Sequence, residues 1–266
     1  MIWLAPLVTL LPQSLSGQAQ APQDPIPAHD SLTIASRVLN EPRLINVHLP
    51  AGYDSSSARY PVLYMPDGGI NEDFPHVVNT VDSLTALGRI RPVIVVGIPN
   101  TERRRDLTGP TRFARDSAIA PHVGGSESFR RFIGDELIPA IDRRYRTTDE
   151  RAIVGESLAG LFIVETFLRE PSLFSHYIAF DPSIWWNKGN LADSSATLIE
   201  RMDSLPRSID LTSSRDDIDA GTARVAHALE AAHHPNLTWR FTPRPDLTHA
   251  TIFRAMAPVM LGEALR

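Results

Sequence analysis

The chain predicts an α/β domain built on a doubly wound, mostly parallel sheet, and three observations carry that expectation. Short β-branched runs alternate with segments whose apolar residues recur at helical spacing. The run Pro92-Val-Ile-Val-Val-Gly97 is apolar throughout, as a strand covered by helices on both faces must be. At 266 residues, 42% of them hydrophobic, the chain can bury a full core and has an ordinary length for one domain.

Met1-Ile-Trp-Leu-Ala-Pro-Leu-Val-Thr-Leu-Leu11 is an apolar run too short to cross a bilayer. Polar residues and a small-x-small pattern, Ala19-Gln20-Ala21, follow it. Residues 1–21 therefore read as a signal peptide cut after Ala21, although no Lys or Arg precedes the apolar run. The mature chain is expected in the periplasm or outside the cell, with no membrane anchor. Residues 22–30, rich in Pro and Gln, read as a linker, and residues 31–266 as the single folded domain.

Leu32 to Val38 and Leu44 to Leu49 read as an antiparallel pair of edge strands. Turn residues from Pro50 to Tyr60 feed the apolar strand Pro61-Val-Leu-Tyr-Met65, which Pro66-Asp67-Gly68-Gly69 ends. A helix from Phe74 to Leu87 leads to the Pro92–Gly97 strand. Asn100 to Pro121 is a long polar loop holding Arg103, Arg104, Arg105 and Asp106; such loops are either functional or simply solvated and ion-paired. Ser126 to Tyr145 puts Phe129, Phe132, Ile133, Leu137 and Ile141 on one helical stripe. Tyr177 to Phe180, Ile209 to Thr212 and Leu237 to Phe241 are the later strands. A helix holding Val225 to Ala232 precedes the last of them, a loop carries His249, and Thr251 to Leu265 forms the final helix.

Midway lies Arg151-Ala-Ile-Val-Gly155-Glu156-Ser157-Leu158-Ala159-Gly160, in which a β-branched run meets a small-x-Ser-x-small turn. Leu158, Phe162, Ile163 and Phe167 then recur at helical spacing, giving strand, sharp turn and helix. A serine on such a turn points its hydroxyl off the top of the sheet, and the next N–H, here that of Leu158, can meet a developing oxyanion. A serine capping a helix after a buried strand has the same local pattern, so the choice depends on what else reaches that edge.

Ser157, Asp181, Asp216, Asp217 and His249 all follow strands, and sites in doubly wound sheets lie at the carboxyl ends of the strands. A serine hydroxyl becomes a nucleophile when a base takes its proton and a carboxylate orients that base. The order Ser, Asp, His along the chain is that of the α/β hydrolases. Of nine histidines, only His249 lies between the last strand and the last helix. His233 and His234 are adjacent and so point apart, with no Asp or Cys at metal-ligand spacing; His48, His76, His122, His176 and His227 have no comparable placement. For the acid, Asp216 ranks over Asp217 and Asp217 over Asp181, because the strand before the last one commonly carries it. Asp67-Gly68-Gly69 fits the second oxyanion donor, since glycine lets an N–H turn toward a substrate without a clash.

The net charge is −5 with Lys and Arg scattered, so no basic face points to a nucleic-acid or anionic-membrane partner. The chain has no cysteine, which removes disulfides, thiolate metal sites, a cysteine nucleophile and a lipidated cysteine. No metal and no organic cofactor is implied.

Several blocks in order carry a family resemblance: Leu49-Pro-Ala-Gly-Tyr53, Tyr60-Pro-Val-Leu-Tyr-Met-Pro-Asp-Gly68, Asn100-Thr-Glu-Arg-Arg-Arg-Asp-Leu107, Glu136-Leu-Ile-Pro-Ala-Ile-Asp142, Gly155-Glu-Ser-Leu-Ala-Gly160 and Pro182-Ser-Ile-Trp-Trp186. Together they resemble the putative-esterase family of α/β hydrolases, most of all its siderophore-esterase-like branch, which is related to feruloyl esterase modules and S-formylglutathione hydrolases. The resemblance runs from about Leu32 to the C-terminus. It implies an α/β-hydrolase fold, Ser157 as nucleophile, His249 as base, the N–H groups of Leu158 and Gly69 as oxyanion hole, and Asp216 as the acid. Three positions depart from the family pattern: Glu156 stands where histidine is usual, Ala159 where glycine is usual, and Asp181 where serine is usual before Pro-Ser. Some members work with a Ser–His pair and no acid.

The expectation is a serine carboxylic-ester hydrolase acting through an acyl-enzyme on a small-molecule ester, possible substrates including siderophore lactones. Arg103, Trp185 and Trp186 are candidates for the wall of the acyl or alcohol pocket. The rivals are an acyltransferase on the same three residues and a non-catalytic binding protein on a hydrolase fold.

Overall fold

Strand residues alternate between the two faces of a sheet, so a strand buried on both sides must be apolar at every position. The central strands meet that condition along their buried middles. In the computed structural model, which describes residues 24–266, β3 (Tyr60–Pro66) sends Val62 and Tyr64 to one core and Leu63 and Met65 to the other. Likewise β5 (Thr147–Glu156) divides Ile153 from Ala152 and Val154, and β6 (His176–Phe180) divides Tyr177 and Ala179 from Ile178 and Phe180. The expected signal peptide, residues 1–21, lies outside the described residues.

With β1 (Asp30–Ser36), β2 (Glu41–His48), β4 (Ile94–Ile98), β7 (Arg207–Ser214) and β8 (Leu237–Arg244), these strands form one sheet of eight in the order β1-β2-β4-β3-β5-β6-β7-β8. Only β2 runs against the rest: it pairs antiparallel with both β1 and β4, and every later pairing is parallel. This is the expected α/β-hydrolase sheet with an antiparallel N-terminal edge.

Helices cover both faces. On one side α1 (Phe74–Ala86) and α9 (His249–Ala264) pack over Leu63, Val95, Val154 and Phe180. On the other lie α4 (Ser126–Phe132), α5 (Ile138–Arg144), α6 (Leu158–Arg169), α7 (Trp186–Ile199) and α8 (Gly221–Ala232). All of α6 from Leu158 to Leu168 is buried, so the helix that starts at Ser157 is clamped around its whole circumference. Truncating a core ring there, such as Phe162, costs about 3–5 kcal/mol, a scale that shows how firmly the helix start is held.

Three segments differ from the sequence expectation. The stretch expected as a polar loop, Asn100 to Pro121, contains α2 (Arg103–Leu107) and α3 (Ala114–Ser117), both too short to show a helical period. Its charges are mostly paired: Arg43 reaches Asp106 at 2.6 Å with both side chains 1% exposed, and Arg105 reaches Glu41 at 2.6 Å. The helix expected over Ser126 to Tyr145 is broken by a π turn at Ile133–Leu137, just before Pro139, whose missing N–H and ring disturb a regular ladder. Helix α7 has no counterpart in the expectation. It opens with left-handed backbone at Asn187, Lys188 and Gly189, and its apolar residues form no clear stripe.

Candidate active site

The turn between β5 and α6 is forced by close packing on both sides. Ser157 has φ 61° and ψ −118°, a region that costs a non-glycine residue roughly 1–3 kcal/mol and persists only where neighbours over-determine it. They do so here: the Ser157 N–H donates to the Phe180 carbonyl at 3.0 Å, and the Ser157 carbonyl accepts from Leu161 at 2.9 Å and Ser183 at 3.0 Å. A Cβ on Gly160 would lie 3.0 Å from the Phe180 carbonyl oxygen, and one on Gly155 would lie 2.6 Å from the Ala159 Cβ. The methyl of Ala159 therefore fits because Gly155 leaves its space empty, and the departure at position 159 is sterically silent.

His249 is the first residue of α9 rather than a loop residue, and the turn before it is tied by the Thr251 hydroxyl, which accepts the Thr248 N–H at 3.0 Å. Its ring spans the two groups that a base must join. Nε2 lies 3.0 Å from Ser157 Oγ, and Nδ1 lies 2.6 Å from Asp181 Oδ2. The carboxylate on the imidazole is thus Asp181, ranked third from the sequence, and not Asp216. Asp216 Oδ2 instead accepts the backbone N–H of His249 at 2.8 Å. Asp217 accepts the Thr222 N–H at 3.2 Å, at the start of α8. The reason is local geometry. Asp181 leaves β6 with φ 41°, which turns its carboxylate inward, whereas Asp216 lies two residues past the end of β7 and is exposed.

Asp181 is 4% exposed. Burial alone would push its carboxyl up, but the hydrogen bond from His249 and those from the Ser214 N–H (2.6 Å) and hydroxyl (2.8 Å) outweigh it and hold the carboxyl below its ordinary range. The bond to Asp181 raises the proton affinity of His249 against partial burial, and Glu156 adds to the rise. Ser214 and Glu156 had no assigned part in the sequence reading. Ser214 shows no motif, and Glu156 showed only as a departure beside the serine.

The remaining candidates divide. Leu158 begins α6, so its N–H is among those that a helix leaves unpaired. The Gly69 N–H is already taken, donating to Glu72 Oε2 at 2.7 Å. Arg103 spends its guanidinium on a two-pronged pair with Asp67, at 2.7 Å for both bonds. Trp186 is 4% exposed and donates its Nε1–H to the Gly109 carbonyl at 2.8 Å, which makes it core, whereas Trp185 faces the site. A cavity of about 290 Å³ is lined by Ser157, Asp181, Ser183, Trp185 and His249 among others. A second cavity, of about 450 Å³, shares Trp185 and Ile218 with it and adds Phe113, Arg115 and Lys188.

The other histidines have local partners or none. His48 contacts Asp82, His122 contacts Glu102, and His176 contacts Ser208. Among the described residues no group of three or more His, Cys, Asp or Glu is arranged to hold a metal ion, and no helix is long and apolar enough to cross a membrane.

Comparison with known proteins adds a family to this geometry. The ferri-bacillibactin esterase BesA of Bacillus subtilis is 37% identical over 150 residues, 49% of this chain and 50% of that protein. The siderophore triacetylfusarinine C esterase of Aspergillus fumigatus is 30% identical over 176 residues, 60% and 58% of the two chains. The aligned stretch thus spans about half the length of these curated relatives. An IroE-like serine hydrolase from Shewanella oneidensis superposes with a TM-score of 0.80 at 25% identity, over 90% of this chain and 80% of that one. The BES protein from Bacillus cereus superposes with a TM-score of 0.79 at 22% identity, over 93% and 100% of the two chains, a likeness of fold. Residues 36–243 match the model of the family described as "Putative esterase", well over half of the sequence, and the chain therefore belongs to that family.

Proposed function

We propose that this protein is a serine carboxylic-ester hydrolase working through an acyl-enzyme. One observation carries the proposal: a hydroxyl on a strained turn, an imidazole and a buried carboxylate form a continuous chain, with 3.0 Å from Ser157 Oγ to His249 Nε2 and 2.6 Å from His249 Nδ1 to Asp181. Nε2 accepts the serine proton as Oγ attacks the ester carbonyl carbon. Asp181 keeps the other proton on Nδ1 and stabilises the imidazolium. The oxyanion is met by the Leu158 N–H at the positive end of α6. The imidazolium then protonates the leaving alkoxide, and the alcohol departs. His249 next takes a proton from water as its oxygen attacks the acyl carbon; the acyl–Oγ bond then breaks, the imidazolium returns that proton to Ser157 Oγ, and the acid leaves. The Gly69 N–H serves as second donor only when its bond to Glu72 opens.

The two neighbouring cavities favour an ester with a bulky group over a simple acetate, because Trp185 offers apolar contact area beside the serine and is shared with the second cavity, which Phe113 also lines. Siderophore lactones are in that size class, and the relatives above include a ferri-bacillibactin esterase and a siderophore triacetylfusarinine C esterase. The test is Ser157→Ala. It should remove at least ~10³ of p-nitrophenyl ester hydrolysis and abolish labelling by a fluorophosphonate. A variant that keeps most of the rate would refute the proposal.

A further inference from the structure

Glu156 takes part in none of the steps above, yet it touches the base. It ends β5 with its side chain 18% exposed, and its Oε1 makes a charge contact 3.3 Å from His249 Nε2, while Ser157 Oγ holds the hydrogen bond to that nitrogen at 3.0 Å. Nε2 has one site in the ring plane. It carries either a proton or a lone pair, so it cannot serve a carboxyl group and the serine hydroxyl equally.

The surroundings fix how that contest runs. Burial pushes the Glu156 carboxyl up to about 7; His249 and Arg103, from α2, pull it down, and Asp73, before α1, and Asp67, after β3, push it up. Arg103 is forked onto Asp67 and so only partly compensates. Asp73 is itself pushed up to about 6 by burial and Asp67, with Arg103 and Arg254 opposing and Glu72 adding to the rise. On the far side of the ring stand Asp181 and Asp216, which both favour the imidazolium.

We propose, on the basis of the esterase reading above, that Glu156 is a positioning residue for the base: it shares one proton with His249 Nε2 in competition with Ser157, and so sets how acidic the medium can be before the base is blocked. With the proton present, either the carboxyl donates to a neutral ring or the imidazolium donates to a carboxylate, and both arrangements occupy Nε2. Once the proton is lost, a lone pair faces a carboxylate, which is repulsive, and the serine hydroxyl is the donor left to fill the site. When Nε2 takes the serine proton during attack, the new N–H again meets a carboxylate. The residue that delays the base at low pH thus supports its charged form at working pH.

Glu156→Gln keeps the shape and removes the charge. Relative to each enzyme's own plateau, the acid limb of kcat/KM should move down by about one pH unit, so that on that limb the variant is about tenfold more active than the parent. Titration of the His249 ring nitrogens by NMR reads the same proton without any substrate, and should show a downward move of similar size. Glu156→Ala should move both in the same direction. An acid limb and a His249 titration that stay within about 0.2 units of the parent would overturn the inference. A shifted titration with no ester hydrolysis by either protein would support the proton contest and overturn only the esterase reading.

Discussion

The loops leaving β6 and β7 each bring a carboxylate to His249, and they use it in different ways. Asp181, at the end of β6, is buried and accepts three hydrogen bonds, from the ring of His249 and from the N–H and hydroxyl of Ser214. Asp216, past the end of β7, is exposed and accepts the His249 backbone N–H. A buried carboxylate stays ionised only when donors surround it, and only an ionised one can stabilise an imidazolium. The end of β6 therefore supplies charge to the ring, while the end of β7 fixes the backbone from which the ring hangs. Ser214 links the two: its hydroxyl donates to Asp181 and accepts the Asp216 N–H at 3.0 Å.

Substitutions at the two ends can break this contrast. Asp181→Asn should have the largest effect, a fall on the order of 10³ or more in kcat/KM, because the amide no longer enforces the tautomer that leaves Nε2 free. Folding, followed by thermal unfolding, should survive it. Asp216→Asn should cost roughly tenfold or less in kcat/KM and about 1 kcal/mol of stability, through a weaker anchor at the start of α9. If steady-state kinetics ranked Asp216→Asn level with Asp181→Asn, the division of roles would fail. Asp217→Asn should have the smallest effect, about threefold or less on kcat/KM with up to about 1 kcal/mol lost, since its partner is the Thr222 N–H at the head of α8. A larger kinetic loss there would show that Asp217 reaches the ester.

How far each of these residues could be read from the sequence follows from what fixes it. Ser157 stands in a motif whose geometry is local, so five neighbouring residues announce it. His249 was legible by elimination, being the histidine between the last strand and the last helix. Which carboxylate meets the ring was not, because two candidate strand ends reach His249 and the choice depends on the backbone turn at Asp181, where φ is 41°, and on a donor, Ser214, from another strand. The central strands were legible as apolar runs, whereas α2 and α3 are shorter than two helical turns and leave no period to detect. Arg103 and Trp186 were named as pocket walls on residue type alone. Their partners, Asp67 and the Gly109 carbonyl, are distant in sequence, and only folding shows that both side chains are already engaged.

Gly155 and Ala159 occupy a space that admits a single methyl group between strand and helix. Their identities are therefore coupled: a side chain added at 155 would first meet the methyl at 159, and with that methyl removed would still press on Ile163 and the backbone of residue 159. A pattern search that insists on glycine at the later position would pass over proteins that have solved the same crowding one turn earlier.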